Sequence, residues 1–258
     1  MKTAIILTAF TLLFAANVIG QKLPNKQEVS FRAPAKLKID GIATEWGNKL
    51  QAYNKSTQIF YAISNDDKNL YLIVQAKYEE IINKIIRGGI TLIINHSINK
   101  KDPQPVTVTY PVLRGSDMSR IANGIVGRFY KQPDTSYKPV TITELNNRLD
   151  AGSKTIITTG IKNLDSDTLS VYNTDGIKAA AQFDNNTLYN YELAIPIKYL
   201  DLPNNGVDPF SYQLKVNGLP EQVYTHNDSS SSSAAPPPYD ATTALATTDF
   251  WAQYTLAK

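Results

Sequence analysis

The sequence predicts an all-β fold, best read as a β-sandwich with one or two short helices. Two observations carry this reading. Short runs rich in Tyr, Ile, Val and Phe alternate with polar residues, as strands with one buried face do. Turn formers separate the runs at close spacing, the pattern of a sandwich or barrel. The 258 residues suffice for one such domain, and a composition of 42% apolar and 19% charged residues can fill a core.

Taken in order, Lys36 to Ile39 alternates. Gln58 to Ser64 and Asn69 to Lys77 flank the polar turn Asn65–Lys68 and predict a β-hairpin. Asp66 and Asp67 are read as turn formers, since Asp bonds its own backbone in turns. Tyr78 to Arg87 breaks the alternation: Ile81, Ile82, Ile85 and Ile86 recur at helical spacing. Acid comes first, base last and Gly88-Gly89 follow, which suits a short helix. Gly89 to Asn95 is an apolar run that predicts a strand buried on both faces. Pro105 to Val112 alternates again.

Residues 113–139 carry Gly115, Gly124, Gly127, Pro133 and Pro139 and predict a long irregular insertion, a kind of segment that is often functional. Thr141 to Asp150 predicts a helix closing at Ala151-Gly152. Strands are expected over Thr155–Ile161, Leu169–Tyr172, Lys178–Phe183, Thr187–Ile195 and Phe210–Val216, with one helical turn opened by Pro196. In the Thr187–Ile195 run, Leu188, Asn190 and Glu192 alternate against Tyr189, Tyr191 and Leu193, which turns Glu192 toward solvent. Residues 226–248 hold five consecutive serines and three prolines and read as a low-complexity surface loop before a last strand, Phe250 to Leu256.

Residues 1–20 read as a secretory signal peptide. Lys2 supplies the positive start, and the apolar run Ala4–Val18 is shorter than the roughly 20 residues a spanning helix needs. Cleavage is expected before Gln21. The expected organisation is therefore a signal peptide (1–20), a lead segment (21–34) and a single sandwich domain (35–258), exported to the periplasm, the cell surface or the medium. No later stretch has the length and apolarity of a transmembrane segment. The absence of cysteine excludes disulfides, thiolate metal sites and a cysteine nucleophile. The net charge of +3 falls to +2 without Lys2, and without a clustered basic face it argues against nucleic-acid binding.

The chemistry available for catalysis is sparse. His96 and His226 are the two histidines, not at the helical spacing of a metalloprotease motif. No nucleophile elbow, phosphate-cradling loop or dinucleotide fingerprint occurs. Glu45, Glu80, Glu144, Glu192 and Glu221 are the carboxylates considered for glycoside hydrolysis, and each has a structural reading instead. For binding, the informative residues are aromatics outside the regular alternation. Phe129 and Tyr130, with Arg128 beside them and Tyr137 beyond, lie in the 113–139 insertion; Tyr239 follows the proline run; Trp251 stands near a strand start. Aromatic faces stack on sugar rings while Arg and Asn take hydroxyls, so Arg128, Phe129, Tyr130, Tyr239 and Trp251 are the expected ligand-binding set.

Three motifs, in order, carry a family resemblance. Ile39-Asp40-Gly41 is followed by Glu45-Trp46. Phe60-Tyr61-Ala62 runs through Asn65-Asp66 to Asn69-Leu70-Tyr71-Leu72. The third is Tyr191-Glu192-Leu193-Ala194-Ile195-Pro196. Together they resemble the family 9 carbohydrate-binding modules and the wider DOMON-like β-sandwiches, exported proteins of bacterial type. The resemblance implies a jelly-roll-like two-sheet sandwich and a carbohydrate or glycan partner. That family stacks its sugar between two tryptophans, whereas this chain holds only Trp46 and Trp251, so tyrosines would have to substitute. Family members also bind calcium, whose ligands do not map onto particular residues here; no other cofactor is expected. DOMON-like relatives include haem binders, for which His96, His226 and Met118 are the available axial ligands. The expected function is an exported, non-catalytic carbohydrate-binding sandwich, and the alternative is a structural or protein-interaction module of the cell envelope.

Overall fold

The computed structural model describes residues 22–47, 49–129, 138–218 and 246–258. Two antiparallel sheets pack face to face. The first runs β1 (Ala52–Asn54), β2 (Ile59–Asn65), β3 (Asn69–Ala76), β9 (Tyr189–Pro196), β8 (Lys178–Phe183) in spatial order. The second runs β11 (Thr248–Tyr254), β10 (Phe210–Val216), β4 (Ile90–Ile94), β5 (Val106–Tyr110), β6 (Thr155–Thr159), β7 (Thr168–Ser170). This is the β-sandwich that the alternating runs predict. Among the described residues three helices accompany it rather than one or two: α1 (Glu79–Gly88), α2 (Gly115–Phe129) and α3 (Ile142–Gly152). No helix among the described residues is long and apolar enough to cross a membrane.

The period-2 pattern decides which side chains fill the space between the sheets. Tyr61 and Ile63 of β2, Leu72 and Val74 of β3, and Tyr191 and Leu193 of β9 point inward. They meet Leu92, Val108, Tyr212 and Phe250 of the opposite sheet. Rings cross the interface: Tyr110 and Tyr191 lie 5.9 Å apart, Tyr61 and Phe250 5.0 Å. The Tyr61 and Tyr212 hydroxyls bond each other at 3.2 Å, and the Tyr61 hydroxyl also accepts from Gln27 N–H, so the lead segment is tied to the core.

The β2–β3 turn forms as its residues dictate. Asp66 Oδ1 accepts from the Lys68 and Asn69 amides, both at 2.7 Å, and Oδ2 from the Tyr71 hydroxyl. Helix α1 buries its four isoleucines and ends at Gly89, whose φ of +77° and close approach to Pro111 O leave no room for a Cβ. Strand β4 is less enclosed than its apolar run predicts: Ile90, Leu92 and Ile94 point into the core, while Thr91 and Ile93 are half-buried.

Three sequence expectations are corrected. The segment expected as an irregular insertion over 113–139 contains α2. Met118, Ile121, Ala122 and Ile125 lie on its inner face at helical spacing, and α2 packs on both α1 and α3. Its glycines reflect that packing: a Cβ at Gly124 would stand 3.3 Å from Leu145 Cδ1. Lys36 to Ile39 forms no strand, and Lys36 takes a left-handed turn at φ +60°. Glu192 does not face solvent. It does point to the outer face of the first sheet, but residues 31–47 together with Leu50 fold back over that face and cover it.

The covering layer is a second small core. Trp46, fully buried at the end of a 3-10 turn (Ala43–Trp46), packs on Ala62, Ile73 and Ala194. Leu37, Ile39 and Leu50 close around it. Trp46 Nε1 donates to Glu192 Oε1 at 2.6 Å, and Glu192 Oε2 accepts from the Asp40 and Gly41 amides at 3.0 and 2.8 Å. Gly41 is required: its φ is +79°, and a Cβ there would lie 2.7 Å from the Ala181 carbonyl carbon. The Ile39–Trp46 and Tyr191–Pro196 motifs are thus halves of one contact, with Glu192 as the clasp.

Candidate functional site

The covering layer stops short of the β8 edge, and helix α3 stands beyond it. Between them runs a cleft of two lobes, about 640 and 710 Å³, joined at Asn146, Asn147 and Gln182. Helix α3 is placed by its N-cap, where Thr141 Oγ1 accepts from Glu144 N–H, and by Leu145 and Leu149, which enter the core. Asn146 then fixes it to the sheet edge. Its side-chain amide donates to Phe183 O and accepts from Phe183 N–H, at 2.9 and 2.7 Å, as a neighbouring strand would.

The first lobe has an amide floor. Gln75, Asn190 and Gln182 are cross-strand partners on β3, β9 and β8 and share the outer face. Gln75 Nε2 donates to Asn190 Oδ1 at 2.9 Å, and Gln182 Nε2 donates to Asp40 O at 3.0 Å. These bonds orient the row, leaving Asn190 Nδ2 and Gln75 Oε1 without a further hydrogen bond among the described residues. Thr44 and Gly47 form one wall, Thr143 and the exposed Asn147 the other.

The second lobe has a hydroxyl floor. Tyr110 and Ser153, each 3% exposed, bring their hydroxyls to this floor. Burial pushes the Tyr110 hydroxyl far above its ordinary range, so it stays a neutral donor. At the rim stands Tyr172, 74% exposed, its hydroxyl held by Lys154 Nζ at 2.8 Å. Comparison of the chain with protein-family models and with curated proteins gave no match. The site is therefore read from its own residues.

The carboxylates that line the cleft are engaged. Asp184 Oδ1 accepts from the Asn186 and Leu188 amides, Asp40 Oδ1 from the Ile42 amide, and Asp150 pairs with Lys154 at 2.9 Å. Of the glutamates considered for hydrolysis, Glu192 is sealed under Trp46, Glu144 pairs with Arg148 outside the cleft, Glu45 accepts from Thr44 Oγ1, Glu80 opens α1, and Glu221 lies outside the described residues. No group of three or more His, Asp or Glu among the described residues comes together to hold a metal ion. His96 Nδ1 bonds Asp102 at 2.7 Å and Met118 packs against the core from α2, so these two do not converge as a haem ligand pair.

The expected binding residues are placed elsewhere. Arg128 ends α2 and works as a tie: it donates to Val140 O at 2.8 Å and to Thr187 Oγ1 at 3.4 Å. Phe129, 39% exposed, follows it. Trp251 is half-buried on β11, paired with Gln213. None of the three lines the cleft. Tyr130, Tyr137 and Tyr239 lie outside the described residues, as do the signal-peptide segment, His226 and most of the 226–248 tract. Sequence reasoning passed over Gln75, Asn147, Asn190, Gln182 and Tyr172. The available signal was amides at outward positions of three runs already read as strands.

Proposed function

We propose that this chain is an exported, non-catalytic carbohydrate-binding sandwich and that the cleft between α3 and the covering layer holds the glycan. The observation that carries the proposal is the cleft's lining: neutral amides and hydroxyls, with an exposed tyrosine at the rim. Sugar hydroxyls are neutral and both donate and accept, and amides match them in both roles. The Tyr172 ring gives an apolar face for the C–H side of a pyranose. Engagement of Asp40, Asp150 and Asp184 by backbone amides or Lys154 favours binding over hydrolysis. The three-motif family resemblance points the same way.

The test is affinity electrophoresis of residues 21–258 through gels containing cellulose derivatives, xylan, mannan or bacterial exopolysaccharide. Retardation by one of them, lost in an Asn147→Ala/Tyr172→Ala double variant, is the expected result. Unchanged mobility in every gel sinks the proposal.

A second reading, a cell-envelope interaction module, is favoured by Val126 and Phe129, which stand 38% and 39% exposed one helical turn apart on α2. Because α2 also carries Ile121 and Ile125 into the core, deleting the segment would unfold the domain. Val126→Lys/Phe129→Lys is the variant for this reading, with loss of an envelope-protein pull-down as its expected outcome.

A further inference from the structure

Resting on the cleft as a glycan site, we infer that the ligand is an extended neutral polysaccharide segment rather than a chain end or a single sugar. The register of the first sheet carries the argument. Five residues stand in one cross-strand row: Tyr53 opposite Phe60, Phe60 opposite Gln75, Gln75 opposite Asn190, and Asn190 opposite Gln182. Directly paired residues share a face, so all five project from the outer side of the sheet.

The row changes chemistry along its length. Gln182, Asn190 and Gln75 form the floor of the first lobe. Beyond Gln75 the row leaves the lobe and becomes aromatic. Phe60 and Tyr53 are half-buried, with ring centroids 4.6 Å apart and planes tilted by 43°. Tyr78, 38% exposed, stands beside them; burial, and then the neighbouring Tyr78, push the Tyr53 hydroxyl above its ordinary range. Tyr53 on the edge strand β1, Phe60 on β2 and Tyr78 just before α1 thus form a partly exposed aromatic cluster outside the small core that surrounds Trp46.

Four inter-strand steps of about 4.8 Å make the row roughly 19 Å long, several times the width of one pyranose ring. A disaccharide would occupy the amide floor and leave the rings unused. A longer chain laid across the strands would meet hydrogen-bonding amides first and stacking rings next. The covering layer borders the row on one side. The next row, Ala62, Ile73 and Glu192, is sealed beneath Trp46, so a ligand is directed along the row rather than across it.

The experiment is titration calorimetry with cello-, xylo- and manno-oligosaccharides of two to six units. The proteins are the unaltered chain and a Tyr53→Thr/Phe60→Thr variant, which keeps β-branched strand formers and removes both rings. The expected result is a gain in affinity of about tenfold or more from disaccharide to hexasaccharide in the unaltered protein. The variant should lose that gain and keep the disaccharide affinity. Equal affinity at all lengths in both proteins overturns the extended-chain inference and leaves the cleft reading standing. No binding of any probe overturns both. A variant that does not fold is replaced by side-chain NMR of the unaltered protein. There the hexasaccharide alone must shift the Phe60 and Tyr53 ring signals, while both lengths shift the Gln75 amide; ring signals indifferent to length refute the inference.

Discussion

Near pH 4.5, replacing Glu192 by Gln should destabilise the protein by about 2 kcal/mol, the usual cost of leaving a buried hydrogen-bond donor unpaired. The carboxylate takes three donors: the Trp46 indole on Oε1, and the Asp40 and Gly41 amides on Oε2. An amide has one oxygen. If it serves the two backbone amides, its NH2 meets the indole N–H, donor against donor, in a site with no water access at either side chain. A neutral carboxylic acid escapes this, because its proton can sit on the lone pair that no donor uses. That distinction matters because burial outweighs the three donors and pushes the Glu192 carboxyl up to about 7 from an ordinary 4.5. The folded protein keeps a proton that the unfolded chain releases between those values. Stability is therefore greatest below about 4.5, falls as pH rises toward about 7, and is level above it, with a total change of at most about 3 kcal/mol. Urea unfolding of the wild type and Glu192→Gln across pH 4.5 to 8 reads both effects. At pH 4.5 the variant should be the weaker of the two, and it should lack this pH dependence, so that the gap narrows as pH rises and closes before pH 8. In a Trp46→Phe background, without the indole N–H, the Gln substitution should cost about 1–2 kcal/mol less. A Glu192→Gln protein within about 0.5 kcal/mol of wild type, with the same pH slope, would refute the reasoning.

Other expectations follow from the same contacts. Gly41→Ala forces a Cβ against the Ala181 backbone at a positive φ and should loosen the covering layer, read as a red shift of Trp46 fluorescence together with a lower melting temperature. Asn146→Ala strips the Phe183 amide and carbonyl of their partner and should cost about 1–3 kcal/mol in chemical denaturation, where Asn147→Ala, one residue on but exposed, should cost less than about 0.5. Tyr61→Phe removes the hydroxyl that joins Gln27 to Tyr212. About 1 kcal/mol of stability should go with it, and amide exchange should quicken in residues 22–30 before it does in the sheets.

Most of the scaffold was readable because period-2 alternation and turn chemistry are local. The β2–β3 hairpin, α1, α3 and the strands after residue 155 sit within a few residues of where side-chain pattern puts them. Helix α2 was hidden because Gly115, Gly124 and Gly127 depress helix propensity, while the reason for Gly124, the closeness of Leu145, is tertiary. Alternation placed Glu192 on the outer face correctly. It could not say that residues 31–47 and Leu50 would return to cover that face. The cleft escaped notice for a related cause: its working side chains come from β3, α3, β8 and β9, and only the strand register brings Gln75, Asn190 and Gln182 into line. Aromatic residues drew attention to Arg128, Phe129 and Trp251, whereas the amides on outward strand positions marked the concave surface.

The order of strands also says when this molecule can exist. Both sheets are completed late: in the first, β9 enters between β3 and β8, and in the second, β10 and β11 add onto the open side of β4. A nascent polypeptide halted before residue 189 would have bare hydrogen-bonding edges at both β3 and β4, and no stable half to fall back on. Folding must therefore wait for nearly the whole polypeptide and draw together segments far apart in sequence, which is slow. Such a chain stays loose until its last quarter is synthesised and then acquires its shape in a single cooperative step.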